Sequence, residues 1–394
     1  MQDVPRAFWH GSLSAMKFGV IGWGLRRPIA ELAHRPVEDL ALTALADPSE
    51  RAQNRFKEFV GDHAFVSADY RDLLDRGLDA VFILSPDYLH EEHAVACLEA
   101  RVPVYLEKPM AITVGGCDRI LRASRNSGTK LFLGHNMRHF PVVRTMKAWI
   151  DEGRIGNVRT AWCRHFVSYG GEAYYRDWHA DRTKSNGLLL QKGAHDIDVL
   201  HWLCGGYSIR VTAMGKLMIY GDIPSRQKPG DRVEVKFEET WPPRSLSKLN
   251  AVVDVEDVNL MVMELDNGVL ASYQHCMFTP DAWRNYTIIG DEGRIENFGD
   301  GPGATIKLWN RATRGYAPQA DVEQLIPEAE GTHGGSDPAI LSEFVRYLRE
   351  GGHTDTSPVA ARMAVAAAVA ATQSLRSGGV PFHVEAMETS NSEP

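Results

Sequence analysis

Lys17-Phe18-Gly19-Val20-Ile21-Gly22-Trp23-Gly24-Leu25-Arg26-Arg27, followed by Asp47 25 positions after Gly22, is the stretch on which the fold of this 394-residue chain turns. A continuous apolar run, two glycines one residue apart and a helical stretch make a strand-turn-helix unit. The first glycine permits the tight turn, the second lets a pyrophosphate approach the backbone, and the helix N-terminus attracts its charge. Asp47 closes a second apolar run, where a carboxylate accepts ribose hydroxyls and repels a 2′-phosphate, which favours NAD over NADP. Gly22, Trp23, Gly24, Leu25, Arg26, Arg27 and Asp47 are thus expected to hold the cofactor, although Arg27 replaces the third glycine of the fingerprint.

Outward from this unit, residues 25–33 and 49–60 read as helices, and 41–47, 80–86, 102–109 and 130–136 as further strands. Apolar strands alternating with helices give a parallel sheet covered on both faces. After Arg138 the rhythm changes to a helix over 141–152, a strand over 158–168 and a hairpin about Asp266-Asn267-Gly268, residues that tolerate positive φ. Two amphipathic helices close the chain, over 339–350 and 357–378. The expected fold is α/β, an N-terminal Rossmann doubly wound parallel sheet with a C-terminal α/β domain built on an open, mostly antiparallel sheet. The expected division is an N-terminal extension 1–15, an NAD-binding domain 16–138 and a substrate-binding and oligomerisation domain 139–394. Within the last, 221–250 reads as a surface insertion because prolines and glycines break its periodicity.

With 44% hydrophobic and 24% charged residues, the chain is no disordered or collagenous polymer. Its 43 basic against 51 acidic residues, a net charge of −8, argue against nucleic-acid or membrane-surface partners. Five scattered cysteines without a C-x-x-C pair suit a reducing cytoplasm. No run approaches the ~20 apolar residues that span a bilayer, and the N-terminus lacks a signal-peptide core. A cytoplasmic location is the expectation.

Further motifs sit at strand ends: Ser85-Pro86-Asp87-Tyr88-Leu89-His90, Glu107-Lys108-Pro109 and Asn136-Met137-Arg138, then Gly187 to Gly206 with Gln191-Lys192-Gly193-Ala194-His195-Asp196-Ile197-Asp198. Together with the opening Gly-x-Gly unit they resemble the glucose-fructose oxidoreductase / inositol dehydrogenase family (Gfo/Idh/MocA), from Met16 to about Val384. The resemblance implies a catalytic role for Lys108, a substrate-contacting, proton-exchanging role for His195, and a cofactor cleft lined by Ser85, Pro86, Asp87, His90, Glu107, Lys108, Asn136 and Arg138. Many relatives carry aspartate four residues before this histidine; here stands Gln191, which cannot accept a proton. Its neighbour Lys192, set in an apolar stretch, becomes the third catalytic candidate.

The chemistry is consistent with this. Oxidising a secondary alcohol needs a base for the hydroxyl proton while hydride leaves carbon, and ligands of doubly wound sheets lie at the carboxyl ends of strands, where Lys108 stands. Burial near a cationic nicotinamide lowers a lysine pKa toward a useful range. Asp198, three residues from His195, shares its helical face and orients a neighbour. The loop from Tyr174 to Arg182 suits sugars, whose C–H faces pack on aromatic rings. Tyr175, Trp178, His179 and Arg182, with Arg164, His165, Lys192 and His195, are the expected substrate-binding set, and their positive charge suits an anionic sugar. The plain alternative is a solvated rim with a structural Arg-Asp pair. No metal is expected: His90 and His93 have the wrong spacing for a zinc helix, and His195, Asp196 and His201 do not share one face.

The leading expectation is an NAD-dependent oxidoreductase acting on a secondary hydroxyl of a sugar, glycoside or cyclitol. The alternative is a redox-neutral NAD-dependent glycosidase that oxidises a ring hydroxyl, eliminates, adds water and re-reduces. A non-catalytic NAD sensor is disfavoured by Lys108, Lys192 and His195 occurring together. The expected partners are a small carbohydrate and further copies of the chain in a homodimer or homotetramer, docked by the open sheet face.

Overall fold

The computed structural model describes residues 15–230, 237–327 and 335–387. The expected N-terminal extension lies outside these residues except for Ala15. The first layer comprises β1 (Met16–Ile21), α1 (Arg27–Glu31), β2 (Leu40–Ala46), α2 (Glu50–Val60), β3 (Phe65–Ser67), β4 (Ala80–Ile83), α3 (His90–Glu99), β5 (Val104–Glu107), α4 (Val114–Ser127) and β6 (Leu131–Gly134). The strands pair in parallel in the order β3-β2-β1-β4-β5-β6. The order reverses between β1 and β4, and the crevice beyond their carboxyl ends is where such sheets bind ligands. Strands β4, β5 and β6 are buried at every position, as a sheet covered on both faces requires. α1 is shorter than the expected 25–33: Pro28 sits in its first turn, and Arg35 soon bridges back to Leu40. β3 is only three half-buried residues, too short to show a period.

The second layer comprises α5 (Pro141–Asp151), β7 (Val158–Phe166), α6 (Arg182–Ser185), α7 (Leu188–Gln191), α8 (Gly193–Cys204), β8 (Ser208–Lys216), β9 (Val258–Leu265), β10 (Leu270–Cys276), β11 (Trp283–Gly290), β12 (Arg294–Phe298), β13 (Thr305–Trp309), β14 (Val322–Leu325), α9 (Ser336–Glu350), α10 (Pro358–Arg376) and β15 (Phe382–His383). Its sheet runs β14-β13-β12-β11-β7-β10-β9-β8-β15 among the described residues. β7 and β10 are parallel neighbours and the other pairs are antiparallel.

One face of this sheet is covered by α8 and α10. Alanines 361, 364 and 368 of α10 share a core with Val211, Met261, Tyr273 and Tyr286, the small side chains allowing close approach. Contrary to the reading that no run nears bilayer-spanning length, α10 has 19 residues and the hydropathy to cross a membrane, yet 72% of its most apolar window is buried inside the fold. The opposite face leaves Met214, Leu260, Val262 and Leu270 exposed. Register explains this: Ala213 pairs with Met261 facing α10, and Met214 pairs with Leu260 facing away.

α9, although drawn from the far end of the sequence, packs on the first sheet. Phe344 meets the rings of Phe82, Tyr105 and Phe132 at 5.2–5.4 Å. The described part of 221–250 is more than a surface insertion, since Ile223, Leu246 and Leu249 bury against Tyr175, Tyr220 and Met277.

Candidate active site

The turn after β1 is shaped for a phosphate-bearing ligand. Gly22 has φ of +92°, and a Cβ there would lie 2.9 Å from the Ser85 amide nitrogen, so glycine is required. At Gly24 the opposite holds: a Cβ would meet no protein atom within 4 Å, which leaves the room a pyrophosphate needs. Asp47 accepts from the Trp23 and Ser49 amides at 2.8 Å each, tying the turn to β2, and each oxygen keeps a second lone pair for a ribose hydroxyl. The Trp23 ring itself is buried against Phe56, so this residue offers its backbone, and Leu25 is exposed.

Both arginines have carboxylate partners. Arg26 is ion-paired with Glu107 at 2.7 Å and Asp337 at 3.2 Å, and Arg27 with Glu31 at 3.0 Å. Asn136 donates to Asp337, and Arg138 forms a two-pronged pair with Asp198 at 2.7 Å while stacking over Trp202. Arg26 and Asn136 thus join α9, and Arg138 joins α8, to the first sheet, and Asp198 thereby orients Arg138. His90 places its ring nitrogens 2.7 Å from the Pro109 carbonyl and 2.9 Å from the Ser85 carbonyl, stapling together the two loops that carry Pro86, Asp87 and Lys108. The Ser85 hydroxyl is engaged by His93 at 2.9 Å.

Lys108, just beyond β5, is half-buried, and its peptide bond to Pro109 is cis. Its Nζ donates to the Gln191 carbonyl at 2.9 Å. Burial lowers its pKa to about 8; Asp87 opposes this shift and the Lys192 charge adds to it. Asp87 is buried in turn, and burial raises its carboxyl to about 8 against the opposing charge of Lys108. The Gln191 side chain lies beside Asp87 and opposes the upward shift of its carboxyl. A carboxylate at 191 would face a second buried carboxyl, whereas the amide meets it without charge.

Lys192 is buried, with Nζ 3.3 Å from the Tyr169 hydroxyl and 5.4 and 5.2 Å from the ring centres of Tyr169 and Tyr174. His195 is held neutral, its pKa driven far down by burial and then by the Lys108 and Arg284 charges; its buried Nδ1 has no partner among the described residues. His179 stacks on Trp178 at 3.8 Å, and burial with the charges of Lys108 and Lys192 brings it to about 3. Lys108, Lys192, His179 and His195 are therefore brought together. Trp178 also meets Tyr88 edge-on at 5.9 Å, joining the Ser85–His90 loop to the aromatic one.

Four expected substrate ligands have protein partners of their own. β7 alternates, so Cys163 and His165 face α8 while Arg164 faces the open side, bonding Asn285 at 2.9 Å. His165 is buried between Tyr273 and Asp196, both at 3.1 Å, and burial takes it to about 3. Tyr175 is core, stacked on Tyr220 at 4.3 Å. Arg182 pairs with Asp254 at 2.9 Å on the surface, the structural Arg-Asp rim that was the plainer alternative. Sequence reasoning passed over Tyr169 and Arg284. Arg284 is buried on β11, pairs with Asp196 at 2.9 Å and Asp300 at 3.3 Å, and places positive charge beside Tyr169, Lys192 and His195. No motif marks either residue.

Among the described residues, one group, His139 with Glu343 and Asp355, has ligand atoms close enough for a metal ion, but Arg144 and Arg346 already pair with its carboxylates.

Residues 16–135 match a family model described as an oxidoreductase family, NAD-binding Rossmann fold, and 147–384 match its C-terminal alpha/beta domain. Inositol 2-dehydrogenase 2 of Saccharopolyspora erythraea is 35% identical over 264 residues, 66% of this chain and 66% of that one. The 2,7-anhydro-N-acetylneuraminate hydratase of Mediterraneibacter gnavus is 30% identical over 206 residues, 52% of this chain and 53% of that one. The chain thus spans one half to two thirds of the length of these relatives. A solved structure of levoglucosan dehydrogenase with NADH and levoglucosan shares the fold, with a TM-score of 0.74 at 20% identity over 94% of this chain and 99% of that one.

Proposed function

Because the chain belongs to the Gfo/Idh/MocA oxidoreductase family and carries its NAD-binding Rossmann domain, we propose that it oxidises a secondary hydroxyl of a sugar, glycoside or cyclitol. The observation that carries this reading is Lys108, oriented by the Gln191 carbonyl at the carboxyl end of β5, on the same sheet edge as the Gly22–Gly24 turn after β1. NAD, when bound, supplies the hydride acceptor. Lys108 in its amine form takes the hydroxyl proton, because only that form has a lone pair to give. Neutral His195, its Nδ1 without a partner among the described residues, hydrogen-bonds the substrate, and the Trp178-His179 stack packs on the substrate ring. Arg164 and Arg182 have partners on the open face and the rim, so Lys192, with Arg284 beside it, is the charge that would support an anionic substituent. Incubation with NAD and a panel of hexoses, glycosides and cyclitols tests the reading by NADH formation; no NADH from any class would count against it.

Two further outcomes are expected. The rate kcat/KM for oxidation climbs as pH rises through about 8 and then levels, since below that value Lys108 is an ammonium and cannot accept a proton. A pH-independent rate would assign the base elsewhere. Gly24→Ala leaves stability within about 0.5 kcal/mol, because its Cβ meets only open space, yet weakens NADH binding in a fluorescence titration. Unchanged affinity would place the pyrophosphate away from this turn.

The redox-neutral glycosidase is kept as a second reading on one observation, a second ionisable pair, Tyr169 and Lys192, whose lysine acts on Lys108; that one relative is named a hydratase supports it. Release of phenol from an aryl glycoside without net NADH supports it, and NADH equal to substrate consumed rejects it. The exposed Met214, Leu260, Val262 and Leu270 face is the proposed contact between copies of the chain, and light scattering that shows a monomer would reject that.

A further inference from the structure

A line of aromatic rings leads from the buried Lys192 to the protein surface, and oxidation of a single sugar ring does not use its outer end. Lys192 Nζ lies 5.2 Å from the Tyr174 ring centre and 5.4 Å from that of Tyr169. Toward Lys108, Tyr174 meets His179 edge-on at 5.3 Å, and His179 stacks on Trp178. In the other direction the Tyr169 ring meets Phe237 edge-on at 5.9 Å, and Phe237 is 58% exposed. Beyond Trp178 the line ends at Tyr88, whose ring already has Trp178 at 5.9 Å and the Lys184 ammonium at 5.8 Å as neighbours. The larger open ring surface is therefore at the Phe237 end. A lone exposed phenylalanine is ordinary, but this one is anchored. Glu172, buried in the turn Gly171–Tyr175, accepts from the Glu238 and Thr240 amides at 2.9 Å each. Arg176, also buried, donates to the Glu238 carboxylate at 3.0 Å and to the Ser247 carbonyl at 3.1 Å. Glu239, between the two anchored amides, takes φ of +55°, a conformation a side chain adopts under constraint. The turn that carries Tyr174 and the segment that carries Phe237 are thereby bolted together.

We propose that Phe237 is an outer binding platform of this site and that the substrate is a glycoside of two rings, the ring to be oxidised lying on the Trp178-His179 stack and the ring linked to it lying on the exposed face of Phe237. The assignment rests on the oxidoreductase reading for which ring reacts, but not for where the second ring binds. A sugar and an arene both qualify as that second ring, since each offers an apolar face to an aromatic side chain. The linkage passes Tyr169 and Lys192, whose hydroxyl and ammonium hydrogen-bond its oxygens. The segment read from sequence as a surface insertion thus supplies a specificity-determining residue, and the open choice among sugar, glycoside and cyclitol narrows to a glycoside.

Calorimetric titration of the NADH-loaded enzyme with the methyl, phenyl and glucosyl glycosides of each hexose in the panel tests this. With the cofactor already reduced no alcohol is oxidised, so binding is read without turnover. For at least one hexose the phenyl or glucosyl glycoside should bind about 10-fold more tightly than the methyl glycoside, the contact with Phe237 supplying the difference. That gap should vanish in Phe237→Ala and persist in Phe237→Trp, with affinity for NADH and for the methyl glycoside unchanged. A gain for the phenyl glycoside alone identifies an aryl aglycone, and a gain for the glucosyl glycoside alone identifies a second sugar. A panel in which no ring-bearing glycoside outbinds its methyl counterpart overturns the platform, as does a gap that Phe237→Ala leaves intact. Absence of NADH from every glycoside incubated with NAD, with the gap present, would instead defeat the oxidoreductase reading alone.

Discussion

Lys108→Met should lower kcat by about 10²–10⁴-fold while leaving NADH affinity within a small factor, because on the proposed reading the side chain removed takes the hydroxyl proton. Methionine keeps the unbranched stem, so the half-buried channel from β5 to the Gln191 carbonyl stays filled. Arginine does not restore the rate: its guanidinium stays protonated at any working pH and so has no lone pair to offer. Steady-state rates with NADH titrations read this directly. Equal losses in turnover and in NADH binding would mean that Lys108 positions the cofactor instead.

Asp196→Ala should be the most destabilising single change in the region, by about 3–5 kcal/mol, because it strands a buried charge. Asp196 has no solvent exposure, accepts from Arg284 at 2.9 Å and from the Tyr286 hydroxyl at 2.5 Å, and lies 3.1 Å from His165 Nδ1. Burial alone would raise its carboxyl, but Arg284 and His165 hold it well below the usual carboxylate range. A depressed acid contributes stability that is complete above its unfolded value, near ~3.9, and is lost only as pH falls through the folded value. The stability gap between wild type and variant should therefore stay flat from about pH 5 to 8 and shrink in acid. Chemical denaturation at several pH values checks both magnitude and shape; a gap under about 1 kcal/mol would show that Arg284 finds other partners. Asp196→Asn, which keeps an acceptor oxygen, should lose less.

The parts of the site legible in sequence are those fixed by one strand end and its turn. Gly22, Gly24, Asp47 and Lys108 each occupy the carboxyl end of a parallel strand, where local pattern and topology agree. What sequence hides is decided by register and distant partners. Arg164 and His165 are neighbours, yet the pleat sends one to the open face and the other under α8. Arg182, Arg26 and Arg138 look like free cations until Asp254, Asp337 and Asp198 are brought beside them by the fold. Tyr169 and Arg284 carry no motif because their significance lies wholly in facing Lys192. The course of α9 was hidden for the same reason: a helix read as part of the second domain has its aromatic partners on the first sheet.

The measurement that bears most directly on the account is NADH formation by wild type and Lys108→Met across the same panel of hexoses, glycosides and cyclitols. At least one class should yield NADH with the wild type, and the variant should give about 1% of that rate or less with normal NADH binding. A variant that forms NADH as fast as the wild type on every accepted substrate would contradict the role of Lys108 and the mechanism built on it.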